Sequence, residues 1–140
     1  MTIVLVPLEY DDLEALEPVW APFIARIAKK SRNTVEELVS QVKSGEVRLH
    51  LAWDAIKKEA QALAGTRIYL RGGDKVGELV WCSGSGRHHW LPLLDELERF
   101  HIDHLGCVGM QAVARMGWVN ELKQRGYRMT HAVCIKEFAQ

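Results

Sequence analysis

The chain lacks a long hydrophobic run and an excess of charge of either sign. Eighteen Lys and Arg residues balance eighteen Asp and Glu residues over 140 positions. General nucleic-acid binders usually gather surplus basic residues on one face, so this balance argues against a nucleic-acid partner. No apolar run approaches the ~18 residues that a membrane-spanning helix needs. We therefore expect neither nucleic-acid binding nor a membrane span.

Cysteine is also scarce. Cys82, Cys107 and Cys134 cannot all pair with one another, and each lies in or beside an apolar, strand-like run. Cytosolic proteins keep such thiols reduced, so we expect buried, unpaired cysteines. The first residues, MTIVLVPLEYDD, lack the basic start of a secretory signal and turn acidic at once. These features predict a cytoplasmic protein.

What is present is an ordinary globular composition, 48% hydrophobic and 26% charged. A chain of this length buries roughly two-thirds of its unfolded surface in one core, so residues 1–140 are expected to form a single domain. The apolar periodicity predicts the element order β-α-α-β-β-β-α-β-α-β. This order is typical of an α/β fold with one mixed sheet of about six strands and helices on both faces.

Local signals set several element boundaries. Thr34 and Glu37 have the spacing of a capping box at a helix start. The turn at residues 71–75 predicts an antiparallel hairpin of strands three and four, and Gly106 should end the helix that follows. His50 alternates with Leu49 and Leu51, which predicts a solvent-facing position on strand two. The apolar run YRMTHAVCIKEF, residues 127–138, predicts the last strand.

His101, His104 and Cys107 lie close together in the sequence. The chain offers no further ligands at the spacing of paired zinc-binding motifs. We therefore expect no metal site, and we interpret these histidines as part of a solvated helix face.

Two stretches, HLGC at residues 104–107 and LKQRGYRM at residues 122–129, are typical of one family. Together with the element order, they make the chain resemble the GNAT superfamily of N-acetyltransferases over essentially its whole length. The stretch ARMGWVNELKQRGY, residues 114–127, is most similar to the small acetyltransferase-like proteins of tailed phages and prophages.

The resemblance implies an enzyme that uses acetyl-CoA as co-substrate and an amine as acceptor. It also implies that strand four diverges from strand five to admit the pantetheine arm. The pyrophosphate would bind backbone N–H groups before the next helix, where helix-terminal amides attract anions. The residues expected to bind the cofactor are Trp81, Cys82, Gly84, Gly86, Arg87, His88, His89 and Trp90.

The resemblance further implies that Glu78 on strand four is the catalytic base, although a plain solvent-facing strand position also fits it. Burial preferences favour a buried core over a ligand groove for Trp81 and Trp90, and residues 87–89 also fit a solvated loop. The sequence departs from the family at two points. Bulky His89 and Leu91 take the positions of small loop residues, and Leu122 takes that of the usual tyrosine acid.

These departures leave two hypotheses. The first is an acetyl-CoA-dependent N-acetyltransferase. The second, to which the resemblance to phage-encoded proteins belongs, is a protein of the same fold that has lost catalysis and serves in binding or assembly, since fold alone does not dictate function.

Overall fold

The structure is a computed structural model that describes residues 3–85, 90–114 and 116–139. The strands are β1 (Ile3–Pro7), β2 (Arg48–Asp54), β3 (Glu59–Arg71), β4 (Asp74–Gly84) and β5 (Gly109–Ala112). The helices are α1 (Asp12–Ala15), α2 (Glu17–Lys30), α3 (Val35–Lys43), α4 (Leu94–Leu105) and α5 (Val119–Gln124). Short 3₁₀ turns at Leu91–Leu93 and Met116–Trp118 lead into α4 and α5.

The strands form one sheet in the order β1-β2-β3-β4-β5. The first four pair antiparallel with their neighbours, whereas β5 runs parallel to β4. This arrangement confirms the predicted α/β class and mixed sheet. Within the described residues the sheet has five strands, one fewer than predicted.

The missing strand is the predicted last one. Residues 128–139 adopt no regular secondary structure and are exposed throughout. The prediction of a strand at residues 127–138 was therefore wrong for this structure. Its apolar and β-branched residues favour an extended chain, but a strand also needs an edge with which to form hydrogen bonds.

Each face of the sheet has its own apolar core. On one face, Trp20 and Ile24 of α2 and Leu38 of α3 pack with Leu49 and Leu63 of the sheet. On the other face, Leu94 and Leu97 of α4 and Leu122 of α5 pack with Ala52 and Ala62.

The predicted boundaries hold. The Thr34 hydroxyl accepts a hydrogen bond from the Glu37 backbone N–H at 3.1 Å, as an N-cap should. Gly106 adopts the left-handed conformation, φ 69°, at the end of α4. In the part of the chain that the structure describes, no helix has the length and apolarity needed to cross a membrane.

The three thiols are free, but only Cys107 is buried, while Cys82 and Cys134 are exposed. The expectation of three buried thiols was thus wrong for two of them. Cys134 is exposed because its segment does not join the sheet.

Candidate active site

A β-bulge separates the two halves of β4. Gly65 of β3 pairs with Trp81, but Thr66 pairs with Leu79, so Val80 is an extra residue on β4. Pairing of β4 with β5 also stops at Leu79, opposite Ala112. Bulges bend a strand and increase its twist. Residues 80–84 have no β5 partner in the described part of the chain, and we call the unpaired stretch beside this end of β4 the opening.

Glu78 lies at the closed end of this opening and is 5% exposed. Its Oε1 accepts a hydrogen bond from Arg67 Nε at 2.6 Å. Its Oε2 accepts another from Gln111 Nε2, and the Tyr69 hydroxyl donates to the Gln111 side-chain oxygen. The register across β3, β4 and β5 brings these side chains onto one face.

The contacts of Glu78 leave part of its hydrogen-bonding capacity unused. A carboxylate offers about four acceptor positions, of which Arg67 and Gln111 occupy two. The Arg67 side chain is 46% exposed and balances the charge of Glu78 from the solvent side. The carboxylate can therefore accept a hydrogen bond from a water molecule in the opening as well.

The two tryptophans that flank the loop have buried rings. Trp81 lies over Gly65, where an added Cβ would come within 2.7 Å of the indole. Trp90 packs in the opposite core, donates a hydrogen bond from Nε1 to the Ser85 carbonyl at 3.0 Å, and contacts Trp118. Both side chains are buried in the interior, so a ligand could contact mainly the backbone groups of these two residues.

Gly84 and Cys82 lie near the end of β4. An added Cβ at Gly84 would lie 2.5 Å from the backbone oxygen of Gln61, so the close approach of β3 requires glycine there. Cys82 is exposed over part of its surface. Desolvation of its thiol nevertheless raises the pKa to about 12, so the group stays protonated at neutral pH. The predicted ligands Gly86, Arg87, His88 and His89 lie outside the described residues.

The start of the helix after the loop has no side-chain cap. Neither Trp90, before the 3₁₀ turn, nor Leu93, before α4, caps the backbone N–H groups that follow it. Unpaired N–H groups at a helix start carry partial positive charge and attract anions. The Leu94 N–H already donates to the Leu91 carbonyl, so the described unpaired backbone groups beside the opening are those of β4 at residues 80–84.

No family model matches the sequence, and no curated protein is similar to it. Solved structures do match. An acetyltransferase from Trypanosoma brucei is 14% identical with a TM-score of 0.68, over 97% of this chain and 99% of that one. A GNAT family acetyltransferase from Staphylococcus aureus is 14% identical with a TM-score of 0.65, over 99% of this chain and 100% of that one.

A third match is glucosamine-6-phosphate N-acetyltransferase from Arabidopsis thaliana, 14% identical with a TM-score of 0.63, over 99% of this chain and 100% of that one. The chain has the GNAT fold. At such identities the similarity concerns the fold. In this GNAT fold, the opening between β4 and β5 is where the sequence resemblance places the pantetheine arm.

Leu122, which the sequence resemblance places at the position of the usual tyrosine, is 8% exposed. It belongs to the apolar cluster that also contains Trp90 and Leu94. A tyrosine hydroxyl placed there would enter an apolar core, and burial of a polar group without a partner is costly. The nearby Tyr127 hydroxyl already donates a hydrogen bond to the Glu98 carboxylate at 2.7 Å, so it does not replace the missing tyrosine acid in this structure.

A buried histidine pair in this GNAT fold was missed by the sequence analysis. His50 and His101 are both 0% exposed and both contact Thr66 Oγ1, at 3.0 and 3.1 Å. The predictions of a solvent-facing His50 and a solvated His101 were therefore wrong. Helix α4 covers this face of β2. The alternation of polar and apolar residues within one strand cannot predict that a distant helix buries its polar face.

The hydrogen bonds fix the tautomers of the pair. His101 Nδ1 donates to the Leu97 carbonyl at 2.8 Å, so its Nε2 accepts from the Thr66 hydroxyl. Thr66 then accepts from His50 Nε2, which leaves His50 Nδ1 as an acceptor with no partner among the described residues. Burial, followed by the charges of His101 and Arg48, lowers the pKa of His50 to about 3. Burial also lowers the pKa of His101.

Within residues 3–85, 90–114 and 116–139, no three His, Cys, Asp or Glu side chains lie close enough together to hold a metal ion.

Proposed function

We propose that this protein transfers an acetyl group from acetyl-CoA to an amine. The observation that carries the proposal is the opening after Leu79 in a GNAT fold, with the carboxylate of Glu78 at its closed end. The balanced charge and the absence of a basic excess fit a small-molecule site better than a nucleic-acid surface.

The described residues fit acetyl-CoA in two respects. The unpaired edge of β4 at residues 80–84 offers backbone N–H and C=O groups to the amides of the pantetheine arm. The Leu91–Leu93 turn has no side-chain cap at its start, and we propose that the backbone before α4 binds the pyrophosphate, as the sequence resemblance implies. In this arrangement the thioester would lie at the closed end, toward Glu78.

The reaction needs a neutral amine, because an ammonium group has no lone pair. The amine nitrogen attacks the thioester carbonyl carbon, a C–N bond forms, and the C–S bond breaks with its electron pair on sulfur. We propose that Glu78 accepts the amine proton through a water molecule. The sulfur can leave as a thiolate, whose reference pKa is near ~8.5, so a general acid is helpful but not essential.

The acceptor class is an amine-bearing small molecule. Solved structures of this fold include a glucosamine-6-phosphate N-acetyltransferase and an aminoglycoside acetyltransferase. Amino sugars and aminoglycosides are therefore the first acceptors to test, followed by polyamines and peptide amino groups. We expect no membrane partner and a cytoplasmic location, as the sequence predicts.

The second candidate function is a binding or assembly role without catalysis, and the resemblance to phage-encoded proteins belongs to this proposal. Two observations favour it: Leu122 is buried in place of the tyrosine acid, and Glu78 is ion-paired with Arg67. The two candidates differ in whether bound acetyl-CoA is consumed when an amine is present.

Acetyl-CoA is expected to raise the melting temperature of the protein. A ligand at 100-fold its Kd that binds only the folded state adds ~2.7 kcal/mol of stability. For a domain of this size we expect a shift on the order of 5–10 °C. Differential scanning fluorimetry measures it, with adenosine 3′,5′-bisphosphate as the control that lacks the pantetheine arm. No shift at millimolar acetyl-CoA would contradict the proposed function, whereas a shift without transfer to any amine would favour the binding role.

Arg87→Ala is expected to weaken CoA binding by about 1.5–3 kcal/mol, the range for hydrogen bonds to charged groups. A guanidinium can hold a phosphate with two hydrogen bonds, and Arg87 precedes the Leu91–Leu93 turn by four residues in the sequence. Calorimetry of CoA and dephospho-CoA would show whether the contact is to the 3′-phosphate. The control is Arg99→Ala, an exposed arginine on α4. Equal affinity of the wild type and Arg87→Ala for CoA would assign Arg87 to a solvated loop.

A further inference from the structure

A small apolar cavity lies between α4 and the sheet, and its volume is about 30 Å³. On the sheet it is lined by the short side chains of Ala52 on β2 and of Ala62 and Ala64 on β3. On the helix it is lined by Leu94 and Leu97. Cavities with apolar linings stay free of water and bind apolar groups.

The lining of the cavity reaches from the opening into the interior of the protein. It includes Leu79, where pairing with β5 stops, and Cys82, which is exposed on the unpaired stretch of β4. Cys82 pairs across the sheet with Ala64, and Ala64 pairs in turn with His50, which is 0% exposed. This row of residues leads from the opening, at Cys82, to the buried core, at His50.

The cavity and the carboxylate of Glu78 lie on opposite faces of the sheet. Leu79 belongs to the core beneath α4, and the side chain of Glu78, its neighbour on β4, points to the other face. An amine that gives its proton to Glu78 reaches the thioester from the face of Glu78. The opposite face, which holds the cavity, is then left for the chain attached to the thioester carbonyl carbon.

We propose that the preferred donor is an acyl-CoA with three or four carbons in its acyl group, and that the cavity holds the carbons beyond the second. This inference rests on the proposed transfer function and specifies its donor. A water-sized group needs roughly 10–15 Å³ of such volume, so the cavity of about 30 Å³ admits one or two further carbons.

The longer donor leaves the chemistry of the transfer unchanged. The amine nitrogen forms a C–N bond with the thioester carbonyl carbon, and the C–S bond breaks with its electron pair on sulfur. The amine proton passes to Glu78 through water, as proposed for acetyl-CoA. Only the group on the carbonyl carbon differs.

Calorimetry of CoA, acetyl-CoA, propionyl-CoA and butyryl-CoA, without an acceptor, tests the inference. Propionyl-CoA should bind about fourfold more tightly than acetyl-CoA, the factor expected for the burial of one methylene group. An affinity for acetyl-CoA equal to or above that for both longer donors would overturn the inference and leave the proposed transfer function intact. Binding of none of the four compounds would contradict the transfer function itself.

Two variants test whether the cavity holds the chain. Ala64→Val fills the cavity and should abolish the advantage of propionyl-CoA while acetyl-CoA still binds. The matched control is Ala60→Val, an alanine of the same strand that packs against the other core and should keep the advantage. Leu79→Ala enlarges the cavity at the opening and should shift the preference toward butyryl-CoA, which tests the inference even if Ala64→Val does not fold. A preference for propionyl-CoA that persists in folded Ala64→Val, or that Leu79→Ala leaves unchanged, would refute the assignment.

Discussion

Glu78→Gln is expected to lower the rate of acetyl transfer at pH 7 by at least about 10²-fold. Glutamine has nearly the same shape as glutamate and can still accept a hydrogen bond from Gln111, but it cannot take up the amine proton. The deficit should shrink as the pH rises, because free amine then forms without a base. The measurement is the initial rate against pH, with the best acceptor from the amine panel.

Two controls separate a catalytic from a structural role for Glu78. CoA affinity should stay nearly unchanged in Glu78→Gln. Glu46→Gln should keep the wild-type rate, since Glu46 also approaches Arg67, at 4.0 Å, but its side chain is 55% exposed. A rate for Glu78→Gln equal to the wild type at every pH would show that the carboxylate only anchors Arg67 and Gln111. The fold assignment would stand in that case, but the site would have no assigned base.

Acid is expected to destabilise the protein through His50. Its pKa is about 3 when folded and near 6.5 when unfolded, so below pH 6.5 the unfolded state binds more protons. The contribution of neutral His50 to the free energy of unfolding is fully present above pH 6.5 and is lost as the pH falls toward 3. From pH 7.5 to pH 5 the loss is about 2 kcal/mol for His50 alone, at 1.36 kcal/mol per pKa unit. The lowered pKa of His101 acts in the same direction.

Urea unfolding at pH 7.5 and pH 5, at fixed protein concentration, measures this effect. His50→Gln can still donate to Thr66 but does not titrate, so its stability should change by about 2 kcal/mol less than that of the wild type over this interval. His131→Gln, which alters an exposed histidine, should keep the wild-type pH dependence. Parallel curves for the wild type and His50→Gln would contradict the buried, neutral state of His50.

Local sequence patterns, set by residues near one another in the chain, were sufficient to predict much of the fold. The hairpin turn at Gly72 and Gly73, the Thr34 cap and the Gly106 terminator each depend on conformations set within a few residues. Apolar periodicity gave the order of helices and strands for the same reason. It also placed Glu78 on β4, next to the point where β4 leaves β5.

Features that depend on distant contacts were decided only by the tertiary structure. His50 occupies a polar position in an alternating strand, yet α4 covers that face, so both it and His101 are buried. The Val80 bulge sets the register that brings Arg67 to Glu78, and no local pattern reveals it. Residues 127–138 have the composition of a strand, but pairing requires an open edge elsewhere. Composition determines what a segment prefers, and the rest of the fold determines whether the partner it needs is within reach.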